Sequence, residues 1–274
     1  MVGAGRMGTG IAHALLLAGA RVVLCDADSS HVDAGVSRVR DMVATSAARG
    51  TLDGSVDAVM ARLRGGVGLA DLAGHVIVEA VPEQPALKAG ILAGIEAAVA
   101  PDVLVATNTS SISIDHLAHA LTHPERFVGL HFFNPVPASK LVEVVVGTRS
   151  SPQTVARAQA IVEAIGKTAI VVHDSPGFAS SRLGVLLGLE AIRMFEEGVA
   201  SAEHIDLAMT LGYKHPMGPL KLTDVVGLDV RLGVAEYLAS ALGPRFEPPA
   251  LLREMVSRGE LGQKSGRGFY TWNE

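Results

Sequence analysis

The residues best suited to chemistry lie in one short stretch, Gly129 to Gly147, with the sequence GLHFFNPVPASKLVEVVVG. It holds His131, Asn134 and Glu143 on an otherwise nearly apolar background, with Glu143 twelve residues beyond His131. A carboxylate that holds an imidazole gives an acid or base able to work near neutral pH. The other reading is a buried histidine bonded to a backbone carbonyl, and for a lone histidine that reading is the commoner one. An Asn and a Glu in the same apolar setting shift the balance toward a site. Asn-Pro at 134–135 and Pro137 break the chain, so His131 and Glu143 must sit on different elements. VGLHFF reads as a buried strand, NPVPASK as a turn and LVEVVVG as a second strand. Two strand ends facing one cleft would bring the two side chains together.

The N-terminus carries a second kind of chemistry. Residues 3–8 read Gly-Ala-Gly-Arg-Met-Gly, a GxGxxG that is weak alone but well placed. An apolar helical pattern follows from Thr9 to Leu17. ARVVLCD then reads as a strand ending at Asp26, 18 residues after Gly8. This is the fingerprint of a dinucleotide-binding loop. The first glycine permits a tight turn, the second lets backbone approach a pyrophosphate, and the third allows close helix packing. The helix N-terminus favours the phosphate charge. Gly3, Gly5, Met7 and Gly8 are the candidate cofactor-binding positions of the loop. Asp26 would accept hydrogen bonds from ribose hydroxyls and repel a 2′-phosphate, so NAD is expected over NADP. A strand should precede the first glycine, yet only Met1 and Val2 stand there. A start codon farther upstream, a trimmed chain, or a sheet that tolerates a stub would each account for that.

These residues need a scaffold, and the chain's periodicity supplies one. Residues 30–66 read as a hairpin of two helices turning near Gly50–Gly54. They carry Arg38, Arg40, Arg49, Arg62 and Arg64, either a solvated basic face or an anchor for a phosphate-rich ligand tail. A strand beginning at His75 reaches Val81, and Glu83 and Lys88 flank the start of the following helix. Another strand runs from Asp102 into the polar cluster Asn108, Thr109, Ser110 and Ser111. Ligands of open α/β sheets sit beyond the carboxyl ends of strands, where Glu83, Ser110 and His131 fall. A helix over Thr154–Gly166 and a strand over Thr168–Val172 close the series. The fold expected is α/β: a Rossmann-type, doubly wound, mainly parallel sheet over residues 1–173, followed by an all-helical domain over 174–274. The boundary falls at HDSPG, 173–177. Long apolar faces such as SRLGVLLGLEAIRMF serve either an internal core or contact between subunits. The glycine-rich tail GQKSGRGFYTW is expected to pack over something.

Bulk properties narrow the function classes. The 274 residues are 49% apolar and 19% charged, enough to bury a sizeable core. A net charge of −5 with no basic block argues against nucleic acid. One cysteine, Cys25, excludes an internal disulfide and suits a reducing compartment. Mean hydropathy is positive at +0.35, but the best apolar run, Leu183–Ile192, is short and broken by Glu190. With a glycine loop starting almost at Met1, no signal peptide is visible. A cytoplasmic protein with no membrane partner is expected.

The motifs together resemble the L-3-hydroxyacyl-CoA dehydrogenases, the 3-hydroxybutyryl-CoA dehydrogenase group in particular. GAGRMGTGIA, EAVPE, TNTSS, GLHFFNPVPASKLVEVV, DSPGF, HPMGPLKLTDVVGLD and GQKSGRGFY stand in the family's order and near its spacing across essentially the whole chain. The resemblance implies that His131 is the catalytic base with Glu143 as its carboxylate partner. It implies that Ser110 and Asn134 sit at the substrate and nicotinamide. Asp26, Glu83, Lys88 and, in the tail, Lys264 match cofactor-contacting positions. Arg49 falls where relatives can carry a lysine that contacts the CoA part. It further implies an acyl-CoA substrate, NAD as cofactor, no metal, a role in fatty acid metabolism (β-oxidation), and a homodimer formed through the helical domain. One departure concerns the substrate. Relatives have Asn before Arg in PGFxxNRL, and here Ser181 takes that place. A shorter hydroxyl replaces an amide that would help hold the substrate, with a water able to bridge. Two alternatives therefore stand beside the acyl-CoA reading: a dehydrogenase of a free, gulonate-type hydroxy acid, and a non-catalytic NAD-binding scaffold.

Overall fold

A computed structural model describes residues 1–272, which divide into two compact units, Met1–Ser175 and a second that starts at Pro176. The division falls two residues past the expected break at 173.

In the first unit, helix α1 (Arg6–Leu17) leaves the glycine loop and is followed by strand β1 (Val22–Asp26). Helix α2 (Ser29–Ala48) starts at Asp28, whose carboxylate caps it by accepting from the His31 amide. The short helix α3 (Val56–Met60) then leads into strand β2 (Leu63–Val67). Here the structure departs from the expected helical hairpin over 30–66, because its last residues form an edge strand parallel to β1, with Val22 opposite Leu63. The two glycines explain this. A Cβ on Gly65 would lie 2.6 Å from Val32 of α2, and one on Gly66 would lie 3.0 Å from the Cys25 sulfur. Bare backbone lets the strand fit under the helix and beside β1.

The rest of the unit comprises β3 (Val76–Glu79), α4 (Pro85–Ala98), β4 (Leu104–Thr107), α5 (Ile114–Ala118), β5 (Phe127–Phe132), β6 (Leu141–Val146), α6 (Pro152–Ala164) and β7 (Thr168–His173). The strands β3 to β7 lie side by side in chain order, all parallel except the β5–β6 pair. Val2 joins this group to β1. It forms parallel bridges to Cys25 and Glu79, donating to the Val78 carbonyl and accepting from the Ala80 amide. Val2 thus links β1 to β3. Leu24, Leu104, Val128, Leu130, Val142 and Val144 form the core under α1 and α6.

The second unit is helical: α7 (Ser180–Glu196), α8 (Ala202–Leu207) running into a π-helical turn, α9 (Pro219–Val226), α10 (Leu228–Leu242) and α11 (Ala250–Ser257). Its own core includes Leu189, Ile192, Ile205, Leu220, Leu228 and Leu238. The tail docks on two buried carboxylates. Asp224 accepts from the amides of Phe269 and Tyr270 and from the Trp272 indole, and Asp206 accepts from the Tyr270 hydroxyl at 2.7 Å.

Candidate active site

The imidazole and the carboxylate are placed by strand register. His131 on β5 lies directly opposite Glu143 on β6, so the two side chains share one face of the sheet. The His131 Nδ1–Glu143 Oε2 distance is 2.7 Å, and the two residues are 6% and 0% exposed. An ionised carboxylate only accepts, so Nδ1 carries the hydrogen toward Glu143, which leaves Nε2 as the nitrogen able to exchange a proton. Phe133 lies against the imidazole at 4.5 Å between ring centroids. The Nδ1 of the histidine is thus paired with a carboxylate, the arrangement the site reading expects.

Asn134 follows at the start of the turn, exposed and preceding a cis peptide bond to Pro135. Ser110 sits beyond the end of β4 in a turn organised by one carboxylate. Glu83 Oε1 accepts from the Thr109 hydroxyl at 2.5 Å and from the Ser110 amide at 2.9 Å, and the Ser110 hydroxyl lies at 3.3 Å. Lys88 reaches Glu83 at 3.4 Å and Glu79 at 2.7 Å. Burial alone would raise the Glu83 carboxyl, but Lys88 and these donors outweigh it and hold it below the usual glutamate value.

Two residues beside the site were not among its expected members. Glu79, wholly buried at the end of β3, accepts from Lys88, from the Thr107 hydroxyl and from the Val81 amide. Asn108 Oδ1 accepts from the Phe132 amide, tying the end of β4 to the strand that carries His131. Glu79 is the first carboxylate of EAVPE, four residues before Glu83.

The glycine loop has the shape a dinucleotide needs. Gly3 has φ +98° and a Cβ there would lie 2.6 Å from the Ala80 carbonyl oxygen, while one on Gly8 would lie 1.8 Å from the Gly3 carbonyl oxygen. Those two glycines let the loop close on itself. At Gly5, the N-cap of α1, a Cβ would meet nothing within 4 Å, so the backbone is open to a phosphate group. Met7, half-buried, packs on the core beneath the loop. Asp26 ends β1 with one oxygen accepting from the Ala4 amide and the other from Ala27, both at 2.7 Å. Each oxygen keeps a further lone pair for a ribose hydroxyl. His31, unnoticed in the sequence, stands 3.4 Å from Asp26. A cleft of about 580 Å³ runs beside the loop, bordered by Gly5, Arg6, Arg38, Met42, Asn134 and Val136.

Comparison with known proteins fits this geometry. Residues 1–175 match the NAD-binding domain of 3-hydroxyacyl-CoA dehydrogenase, and residues 177–272 match its C-terminal domain. The chain belongs to the 3-hydroxyacyl-CoA dehydrogenase family. A probable 3-hydroxybutyryl-CoA dehydrogenase of Bacillus subtilis is 41% identical over 278 residues, covering 100% of this chain and 96% of that protein. The 3-hydroxybutyryl-CoA dehydrogenase of Bradyrhizobium diazoefficiens is 38% identical over 99% of this chain and 94% of its own. Among solved structures, the (S)-3-hydroxybutyryl-CoA dehydrogenase of Ralstonia eutropha superposes with a TM-score of 0.94 at 41% identity, covering 100% of this chain and 98% of that one.

The remaining residues carried over from the family are less central in their own surroundings. Arg49 is the exposed C-cap of α2, and Arg38 is the arginine of that helix that borders the cleft. Within the second unit, Ser181 is half-buried in the first turn of α7. Lys264 is held by Asp229 at 2.6 Å. Among the described residues, no cluster of His, Cys, Asp or Glu suits a metal ion.

Proposed function

We propose that this protein is an NAD-dependent L-3-hydroxyacyl-CoA dehydrogenase acting on short acyl chains, of the 3-hydroxybutyryl-CoA type, in a reversible oxidation to the 3-ketoacyl thioester. The observation that carries this reading is the buried His131–Glu143 pair, seated beside Asn134 in the first unit. NAD, when bound, supplies the hydride acceptor for C3 of the substrate. His131 Nε2 takes the proton of the 3-hydroxyl, and Glu143 keeps Nδ1 protonated and offsets the charge of the imidazolium. Ser110 and Asn134 hold the substrate oxygen. The open backbone at Gly5 and the Asp26 carboxylate would hold the pyrophosphate and the adenosine ribose, and that carboxylate disfavours a 2′-phosphate. Glu83 and Lys88 act by fixing the Ser110 turn at the cofactor's edge. The cleft beside Asn134 gives the thioester's tail room, with Arg38 on its wall. General-base help is worth roughly 10²–10⁴-fold, and positioning supplies much of the rest.

A homodimer through the helical unit is part of the same reading. It is supported by apolar side chains open to solvent, including Leu183, Leu211 and Tyr213 at 61%, 75% and 75% exposed. A cytoplasmic location is supported by the free, buried Cys25. Among the described residues no helix is long and apolar enough to cross a membrane. The test of the activity is NADH oxidation with acetoacetyl-CoA, run against free acetoacetate and against NADPH. Turnover with NADH and the thioester alone is expected. Turnover of the free acid alone would move the assignment to a hydroxy-acid dehydrogenase and point to Ser181.

A further inference from the structure

The turn that carries Asn134 is held from two sides by residues with no place in the chemistry. On one side is α1. Val136 is 2% exposed, and a Cβ on Gly10 would stand 2.9 Å from both its Cβ and its Cγ2. Non-bonded carbons do not approach so closely, so only a glycine lets the helix and the turn meet at this separation. On the other side is Lys167, the residue just before β7. Its ammonium donates to the Val136 carbonyl at 2.6 Å and to the Ser139 carbonyl. The amides of Ala138 and Ser139 both donate to the Pro135 carbonyl, which makes the turn one compact piece. A cation bonded to two carbonyls at one end and a tight apolar contact at the other leave that piece little freedom.

We infer that Gly10, Val136 and Lys167 form a clamp of positioning residues that sets Asn134 at a fixed distance from the cofactor helix. The inference rests on the reading above, in which Asn134 meets the substrate. Because α1 also presents its N-terminus at Gly5, the clamp ties the substrate-side amide to the same helix that receives the pyrophosphate. An error in the Gly10–Val136 spacing passes directly to Asn134. Misplacement of a reacting geometry by about 1 Å costs on the order of 10²-fold in rate. Lys167 is half-buried, and burial holds its ammonium below the ordinary lysine value, as expected of a cation placed for its bonds and not for solvation.

The test uses the full chain as wild type and as Gly10→Ala, Val136→Ala, Gly10→Ala with Val136→Ala, Lys167→Met and Lys167→Arg. Two readouts are taken: kcat with acetoacetyl-CoA beside NADH affinity, and amide hydrogen exchange of the segment 134–140. Gly10→Ala and Lys167→Met are expected to lower kcat by between about 10- and 100-fold while NADH affinity is kept. Both should speed exchange across 134–140. Removing the Val136 methyls should return the Gly10→Ala protein most of the way in both readouts, and Lys167→Arg should resemble wild type more than Lys167→Met does. Wild-type exchange in Gly10→Ala and Lys167→Met would overturn the clamp, as would a double variant no nearer wild type than Gly10→Ala. If the wild type turns over no hydroxyacyl thioester, the dehydrogenase reading falls, and the exchange data still decide whether the clamp holds the turn.

Discussion

The His131–Glu143 pair and the Glu83–Lys88–Glu79 group are both carboxylate-centred, and they are built in opposite ways. The first is set by backbone. Antiparallel register puts residue 131 opposite residue 143, and a hydrogen bond of 2.7 Å joins their side chains. The second is set by side chains. A lysine 1% exposed lies between two carboxylates, and one of these gathers the Thr109, Ser110 and Ser111 donors into a turn. A strand pair keeps its spacing when one of its side chains is changed, because the ladder is made by the main chain. A charge network whose core is buried does not, because Glu79 and Lys88, at 0% and 1% exposed, have little but each other to solvate their charges. Damage to the first should therefore appear in turnover, and damage to the second in stability as well.

The sharpest way to break this contrast is His131→Ala. It should lower kcat by roughly 10²–10⁴-fold with NADH binding close to wild type and a cooperative unfolding transition retained. Steady-state kinetics, NADH titration and thermal unfolding check it together, and full activity would sink the catalytic assignment. Next in size is Lys88→Met. Removing one partner of a buried pair should cost about 3–5 kcal/mol of stability, read by denaturant unfolding, because Glu79 is left wholly buried with no counter-charge. A variant as stable as wild type would show that the network is not what holds the Ser110 turn.

Smaller effects sharpen the comparison. Glu83 is held below the ordinary glutamate value of 4.5, so its contribution to stability is present above that pH and is lost as pH falls through the folded value. The stability gap between wild type and Glu83→Gln should stay flat from neutral pH down to about 4.5 and close below it. A gap that persists at lower pH would contradict the depressed carboxyl. The smallest effect belongs to Lys264→Ala. Its pair with Asp229 has side chains 47% and 39% exposed, which limits the cost to about 1 kcal/mol or less in an unfolding experiment. A reduced affinity for NADH in this variant would establish the cofactor contact that the family resemblance implies.

The same contrast explains what the sequence made legible. His131 and Glu143 stood out because a nearly unbroken apolar run is a local pattern and an ionisable residue interrupts it visibly. The glycine loop and Asp26 were readable because phosphate and ribose recognition impose a spacing along the chain. Glu79 was not readable, since its partners Lys88 and Thr107 come from different elements and only the packed sheet brings them together. The strand Leu63–Val67 was mistaken for a helix end because it is five residues long and contains two glycines, so it carries too little periodicity. Its identity comes from lying beside β1 and beneath Val32, a tertiary fact. The place of Val2 between β1 and β3 was likewise hidden, because it depends on Val2 bonding to both neighbours at once.

The most direct test of the central claim is the pH profile of kcat for 3-hydroxybutyryl-CoA oxidation by wild type and by Glu143→Gln. If the carboxylate fixes the tautomer of His131 and offsets the charge of its imidazolium, the variant turns over more slowly. The shape of its pH profile also changes, because Glu143 no longer fixes the ring tautomer of the base. Superimposable profiles with equal kcat would contradict the dyad.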